Sequence, residues 1–227
     1  MLDKFLLLLM LIGSVPAIAS TDTQHYPVST CAQEEASLQL LQSDPLMKTK
    51  LLYDPLSPEV GAEEPVLKII SFINYDCIQC RILDGHLERL LRAYPQLAIT
   101  YKLIAYGPEV STAVTRMALT VWIEQPEKFH AFHHALMAYG EMAQDSRISS
   151  AFSTAGMQRI KYRPDTQRII DMNKLLMKNL HCSGTPVTII GNKVFIGEVT
   201  YEALEDAVNL AMVHASENTH LAVMTEG

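Results

Sequence analysis

Several features that would assign this chain to a familiar class are missing from it. Its basic residues are scattered, and 18 Lys and Arg against 25 Asp and Glu give a net charge of −7, which argues against nucleic acid as a partner. There is no internal repeat and no long low-complexity tract, so organisation must be read from periodicity and turn residues. No apolar run reaches the ~20 residues needed to cross a bilayer: the run Phe5 to Ile12 gives way to Gly13, Ser14 and Pro16. Preceded by Lys4 and followed by the small-x-small pattern Ala17-Ile18-Ala19, that run predicts a cleaved secretory signal over residues 1–19. About 208 residues are then left, a length suited to one domain with an insertion or a short arm.

Cysteine is also scarce. The four present are Cys31, Cys77, Cys80 and Cys182, and in an exported chain they meet an oxidising compartment where disulfides persist. Cys77-Ile78-Gln79-Cys80 is a C-x-x-C. A structural zinc site would require two more ligands, usually a second such pair or paired histidines, and Cys31 and Cys182 are solitary. His130, His133 and His134 share one predicted helix, but no carboxylate or cysteine completes a ligand set in sequence. Most of the eleven methionines sit on apolar helical stripes, where methionine is ordinary core filler, and Trp122 reads as core.

Residues 20–65 are the least regular part and read as an N-terminal arm: a short helix is expected around Ala32 to Gln42, and Asp44-Pro45, Asp54-Pro55 and Ser57-Pro58 each interrupt regular structure. Val66 to Asn74 is nearly continuous in apolar, partly β-branched residues, the pattern of a strand covered on both faces. After Cys77 and Cys80, Leu83, Leu87, Leu90, Leu91 and Tyr94 fall at helical spacing until Pro95. Leu97, Ile99, Tyr101 and Leu103 then alternate as a second strand, which predicts a parallel βαβ unit. From Glu109 the period is helical, with further helices expected at Glu127 to Tyr139, Ser146 to Ala155 and Pro164 to Leu180. Pro186 to Ile190 and Val194 to Ile196 read as strands joined by a hairpin turn at Gly191-Asn192-Lys193. Thr200 can cap a last helix carrying Leu204, Ala207, Val208 and Ala211, and a flexible tail is expected over 216–227.

The C-x-x-C therefore falls where a strand runs into a helix. There, unpaired backbone N–H groups and the helix dipole stabilise a thiolate on the first cysteine. Cys77 is thus the candidate attacking thiol and Cys80 the resolving one, exchanging disulfides through a mixed disulfide on Cys77 with neither metal nor organic cofactor.

The order strand, C-x-x-C, helix, strand, long helical block, Thr-Pro, hairpin, helix resembles the DsbA-like branch of the thioredoxin superfamily over about Asp54 to Val213. Ser71-Phe72-Ile73-Asn74-Tyr75-Asp76-Cys77-Ile78-Gln79-Cys80 is similar to that branch's active-site segment. Gly107-Pro108-Glu109, Phe132-His133 and Ala135-Leu136-Met137 resemble its helical insertion, and Gly184-Thr185-Pro186 its cis-proline loop. Asp54-Pro55 and Ser57-Pro58 before the first strand are similar to the subgroup of suppressor-of-copper-sensitivity thiol proteins. The resemblance implies an α/β, thioredoxin-like fold over 66–215, with a helical insertion at about 108–180 between a βαβ half and a C-terminal ββα half. It implies a periplasmic thiol:disulfide oxidoreductase or isomerase whose partners are exported proteins with thiols or disulfides and a membrane redox protein that recycles the pair. It also allows a homo-oligomer. Thr185 and Pro186 inherit the role of presenting backbone to a bound substrate chain. The subgroup suggests an alternative as well, a periplasmic copper-handling protein in which reduced Cys77 and Cys80 hold Cu(I).

Two departures from the family pattern bear on proton handling. Ser71 stands where an acidic residue is common, and the dipeptide between the cysteines lacks histidine. The Cys77 pKa is accordingly expected below the free-thiol value of about 8.5 but above the value near 3.5 of the strongest oxidant. Cys31 and Cys182 are left to join each other, to pair between chains through Cys31, or to leave Cys182 buried and free. An intramolecular bridge would close a loop of about 150 residues, for which chain entropy gives at most on the order of 5 kcal/mol.

Overall fold

The computed structural model describes residues 30–31, 43–106, 112–138 and 142–225, with side chains from 43 to 215 within those ranges. The expected signal, the expected helix at Ala32 to Gln42 and the Gly107-Pro108-Glu109 segment lie outside the described residues.

The protein is built on a five-stranded sheet. Leu67–Ile73 (β3) is its central strand, flanked by Leu97–Leu103 (β4) in parallel and Val187–Ile190 (β6) in antiparallel register. Glu59–Gly61 (β2) closes one edge against β4 and Lys193–Ile196 (β7) the other against β6, both antiparallel. The near-continuous apolar sequence of β3 is explained by two cores that share it. Ile69 and Ile73 face one, Ile70 and Phe72 the other, as the two-residue period of a strand requires. Each such side chain, fully withdrawn from water, stabilises the fold by about 1.5–3 kcal/mol before entropy is counted.

The larger core lies under Ile78–Ala93 (α2), which follows β3 and presents Leu83, Leu87 and Leu90, and under the final helix, Tyr201–Thr225 (α7), which adds Leu204, Ala207 and Val208. It continues into the helical insertion, formed by Ala113–Glu124 (α3), Pro126–Ala138 (α4), Gln144–Thr154 (α5) and Thr166–Asn179 (α6). The smaller core packs Leu176, Met177 and Leu180 with Met47 and Leu51 of Pro45–Leu52 (α1) against the other sheet face. The α/β fold with its helical insertion is the one the sequence implies.

Two expectations are corrected. Residues 43–61 are not a loose arm. Asp44-Pro45 begins a helix rather than interrupting one, since Asp44 Oδ1 accepts from the Met47 N–H at 3.0 Å as N-cap and proline fits the first helical position. The turn between β6 and β7 is Gly191-Asn192 alone, Lys193 already pairing with Ile190. Gly191 has φ +58, and a Cβ there would stand 2.9 Å from Cβ of Ala211, so only glycine fits. The backbone of α7 is helical through Thr225.

Separate from the main sheet, Thr30–Cys31 (β1) pairs antiparallel with Cys182–Ser183 (β5), directly ahead of the Thr185-Pro186 loop.

Candidate active site

Cys77 is the N-cap of α2, in extended conformation (φ −89, ψ 119), and its Sγ accepts the Cys80 N–H at 3.4 Å. A sulfur has replaced the Asp or Ser oxygen usual at an N-cap, so the otherwise unpaired N–H groups of the first turn serve the thiol. As a thiol, Cys77 Sγ donates to the Thr185 carbonyl at 3.3 Å. The Thr185–Pro186 peptide is cis, and Gly184 ahead of it has φ 75. Thus β3, α2 and the loop before β6 meet at one sulfur.

The two thiols are electrostatically unlike. The Cys77 pKa is lowered from 9.0 to about 6, chiefly by the hydrogen bond from the Cys80 side chain; burial opposes this, and the N–H groups of Cys80 and Gln79 and the Thr185 side chain assist it. Cys80 is fully buried, its Sγ accepting the Asn74 N–H at 3.5 Å, and burial, then the bond to Cys77, pushes its pKa well above the ordinary thiol value. At neutral pH the arrangement offers one thiolate, 8% exposed, and one protonated thiol fully buried beneath it. That is what exchange through a mixed disulfide uses. Ile78 and Ile82 on the first turns of α2, next after the sulfur in the chain, are exposed.

Ser71 makes no contact with either thiol among the hydrogen bonds of the described residues; its Oγ pairs with Thr188 Oγ1 at 3.2 Å across β3 and β6. Two polar groups at the site that composition did not mark are Asn74 and Tyr106. Asn74 Nδ2 is buried without a hydrogen-bond partner, and Tyr106 Oη is buried near the Gly184 backbone. Burial pushes the Tyr106 phenol up to about 12, the Gly184 backbone opposing and the two cysteines assisting, so it stays neutral.

The three histidines separate. His133 is buried, its Nδ1 2.7 Å from Tyr75 Oη and its Nε2 2.9 Å from Asp84 Oδ1, which also accepts from Tyr101 Oη at 3.0 Å. His130 pairs with Glu88 at 2.7 Å, and His134 faces outward. Tyr75 lies two residues before Cys77, so His133 supports the approach to the thiol.

Arg147, from α5, is a residue that sequence reasoning missed although it has a signal: it lies on the same inward stripe as Ile148, Ala151 and Phe152. Its side chain is 1% exposed and grips the segment just before Cys77. The Asp54-Pro55 and Ser57-Pro58 motif also acquires a contact. Lys102 of β4 donates to Ser57 Oγ at 2.8 Å, to the Lys50 carbonyl at 2.6 Å and to Asp54 Oδ2 at 3.5 Å.

Cys31 is brought opposite Cys182 by the pairing of β1 with β5. The sulfur of Cys182 is held in a disulfide, whereas Cys77 and Cys80 are free thiols.

Comparison with known proteins agrees with this geometry. Residues 68–209 match the family model for the DSBA-like thioredoxin domain. No match was found among the curated proteins. A periplasmic thioredoxin-like protein from Salmonella enterica serovar Typhimurium is 33% identical with a TM-score of 0.71, over 75% of this chain and 98% of that one. The catalytic domain of Proteus mirabilis ScsC is 31% identical with a TM-score of 0.71, over 78% and 98% of the two chains. The thiol-disulfide exchange protein alpha-DsbA2 from Wolbachia pipientis, 22% identical with a TM-score of 0.70 over 79% and 98%, shares the fold. Since the family model spans well over half of its length, the chain belongs to the DSBA-like thioredoxin domain family and has the thiol-disulfide oxidoreductase fold, with ScsC proteins among its relatives.

Proposed function

We propose that the chain is an exported, periplasmic thiol:disulfide oxidoreductase that works through Cys77 and Cys80. The observation that carries this reading is the Cys77 sulfur at the start of α2, receiving the Cys80 N–H and facing the Thr185 carbonyl. The Cys77 thiolate attacks a substrate disulfide, forming one mixed S–S bond and releasing one substrate sulfur, which takes up a proton. Cys80 then gives up its proton and attacks Cys77 Sγ; the Cys77–Cys80 bond forms and the second substrate thiol leaves. The substrate gains two electrons, which the protein loses. The same steps in reverse oxidise a substrate dithiol. The backbone at Thr185 and Pro186 supports an extended substrate chain beside Cys77, and the exposed Ile78 and Ile82 favour apolar, unfolded segments.

Export is supported by the signal pattern at residues 1–19 and by the periplasmic Salmonella relative. In that compartment the disulfide at Cys182 is read as a bridge to Cys31, whose backbone lies directly opposite. The test is exchange with a disulfide-bonded peptide, together with the reduction potential of the Cys77/Cys80 couple. The reduced protein should reduce the peptide stoichiometrically and the oxidised form should reoxidise it; no exchange in either direction sinks the proposal.

A further inference from the structure

We propose that Arg147 is a positioning residue for the thiol pair: its guanidinium, reaching out of the helical insertion, fixes the Tyr75-Asp76 approach to Cys77 and offsets the carboxylate that adjoins the nucleophile.

Arg147 Nη2 donates to the Tyr75 carbonyl at 2.6 Å, Nη1 to Asp76 Oδ1 at 2.9 Å and Nε to the Leu136 carbonyl at 2.8 Å. Leu136 is in the last turn of α4, whose carbonyls lack partners within the helix. One planar side chain thus joins the end of α4, its own helix α5 and the residue that precedes the nucleophile. Lysine carries its three donors on one nitrogen and so cannot reach acceptors spread over Nε, Nη1 and Nη2 in such a planar fork. The insertion grips the same segment a second time through His133 and the Tyr75 hydroxyl. Tyr75 and Asp76 are therefore held by two helices remote in sequence, and Cys77 comes immediately after them.

The charge matters as well as the grip. Asp76 adjoins Cys77 in the chain, and a carboxylate there disfavours a thiolate by like-charge repulsion. Arg147 opposes that carboxylate from a fully buried position where screening by solvent is weak. The other charged or titratable groups around the sulfur are Cys80 and Arg81 on α2, and Tyr106 beyond β4 with Lys174 of α6 over its ring. Behind Tyr75 stand His133 and Asp84. Arg147 is bonded directly to Asp76, the residue beside the nucleophile.

This inference rests on the reading of Cys77 as nucleophile, but its test is independent of turnover. The Cys77 thiolate is titrated by its ultraviolet absorbance, and the potential is measured against glutathione, in the full-length reduced protein. Arg147→Gln should raise the titration midpoint by about one pH unit, since Asp76 is left unopposed. At pH 7 such a rise moves the thiol–disulfide equilibrium about fivefold toward the disulfide, or ~20 mV more reducing at 29.6 mV per tenfold. Arg147→Lys, which keeps the charge but not the fork, should shift the midpoint by less than half as much. Asp76→Asn should lower the midpoint below the wild-type value, and it carries the test if Arg147→Gln does not fold. An unchanged midpoint in folded Arg147→Gln, an equal shift in Arg147→Lys, or a midpoint in Asp76→Asn at or above wild type would each overturn the proposal. Loss of the exchange reading itself would show differently, as exchange surviving in Cys77→Ser.

Discussion

Cys77 and Thr185 are 108 residues apart in sequence, yet the Cys77 sulfur lies 3.3 Å from the Thr185 carbonyl oxygen. The contact joins the first turn of α2 to the loop before β6. It gives the two cysteines different neighbours and hence different chemistry.

The first prediction uses that asymmetry. Cys77→Ser should abolish thiol exchange, whereas Cys80→Ser should accumulate mixed disulfides, because it keeps the nucleophile and loses the resolving thiol. Mass spectrometry after incubation with a disulfide-bonded peptide reads both. Comparable trapping by the two variants would show that the roles are misassigned.

The second concerns pH. The fold lowers the Cys77 pKa from 9.0 to about 6, chiefly through the hydrogen bond from Cys80. Between those values the unfolded chain binds more protons at this site than the folded one, so the reduced protein gains stability as pH rises from about 6 toward 9, and loses that gain as pH falls through about 6. Urea unfolding of reduced wild type and Cys77→Ala over this range should give a difference that grows with pH. A constant difference would contradict the assignment. Alkylation of Cys77 should track the same midpoint.

The third addresses the buried network behind the site. His133→Leu leaves the Tyr75 hydroxyl unpaired and removes one of two partners from the buried Asp84 carboxylate. A loss of about 3 kcal/mol is expected, against about 1 kcal/mol for Tyr75→Phe, which removes a single hydroxyl. Denaturant midpoints at fixed slope measure both, and equal losses would show that the carboxylate does not depend on His133.

A fourth concerns Lys102, whose ammonium is buried among Lys50, Ser57 and Asp54. Burial lowers its pKa from 10.5 to about 8, with Asp54 opposing the shift. Between those values the unfolded chain holds the proton and the folded chain releases it, so stability rises with pH there. Relative to Lys102→Met, wild type should gain stability from about pH 8 to 10 and show no such trend below pH 7. A gain confined to acid pH would refute this.

Much of the site is local and was therefore legible. Two residues between cysteines, a strand pattern before them and a helical stripe after them suffice to put Cys77 at a helix start, because N-cap geometry and helical spacing act within four residues. The two-faced burial of β3 was equally readable from its unbroken apolar run. Asp44-Pro45 misled because the same dipeptide can end a segment or open a helix. The residues after it decide between the two, and Met47 and Leu51 are buried only because a sheet face awaits them.

The sequence by itself determined the thiol pair, its strand-to-helix setting, the order of the main strands and helices from β3 onward and a glycine turn between β6 and β7, since each rests on short-range geometry or on periodicity. Tertiary structure decided how the groups around the sulfur are brought together and at what distance. Thr185, the Arg147 clamp on Tyr75 and Asp76, the His133 link and the hold of Asp54 and Ser57 on Lys102 span 45 to 108 residues. Periodicity can place a residue such as Arg147 on an inward stripe but does not name its partner, because that depends on how helices of the insertion pack onto the end of a sheet. The reactivity of Cys77 is set at that junction, by the hydrogen bonds and buried charges that packing brings within reach of one sulfur.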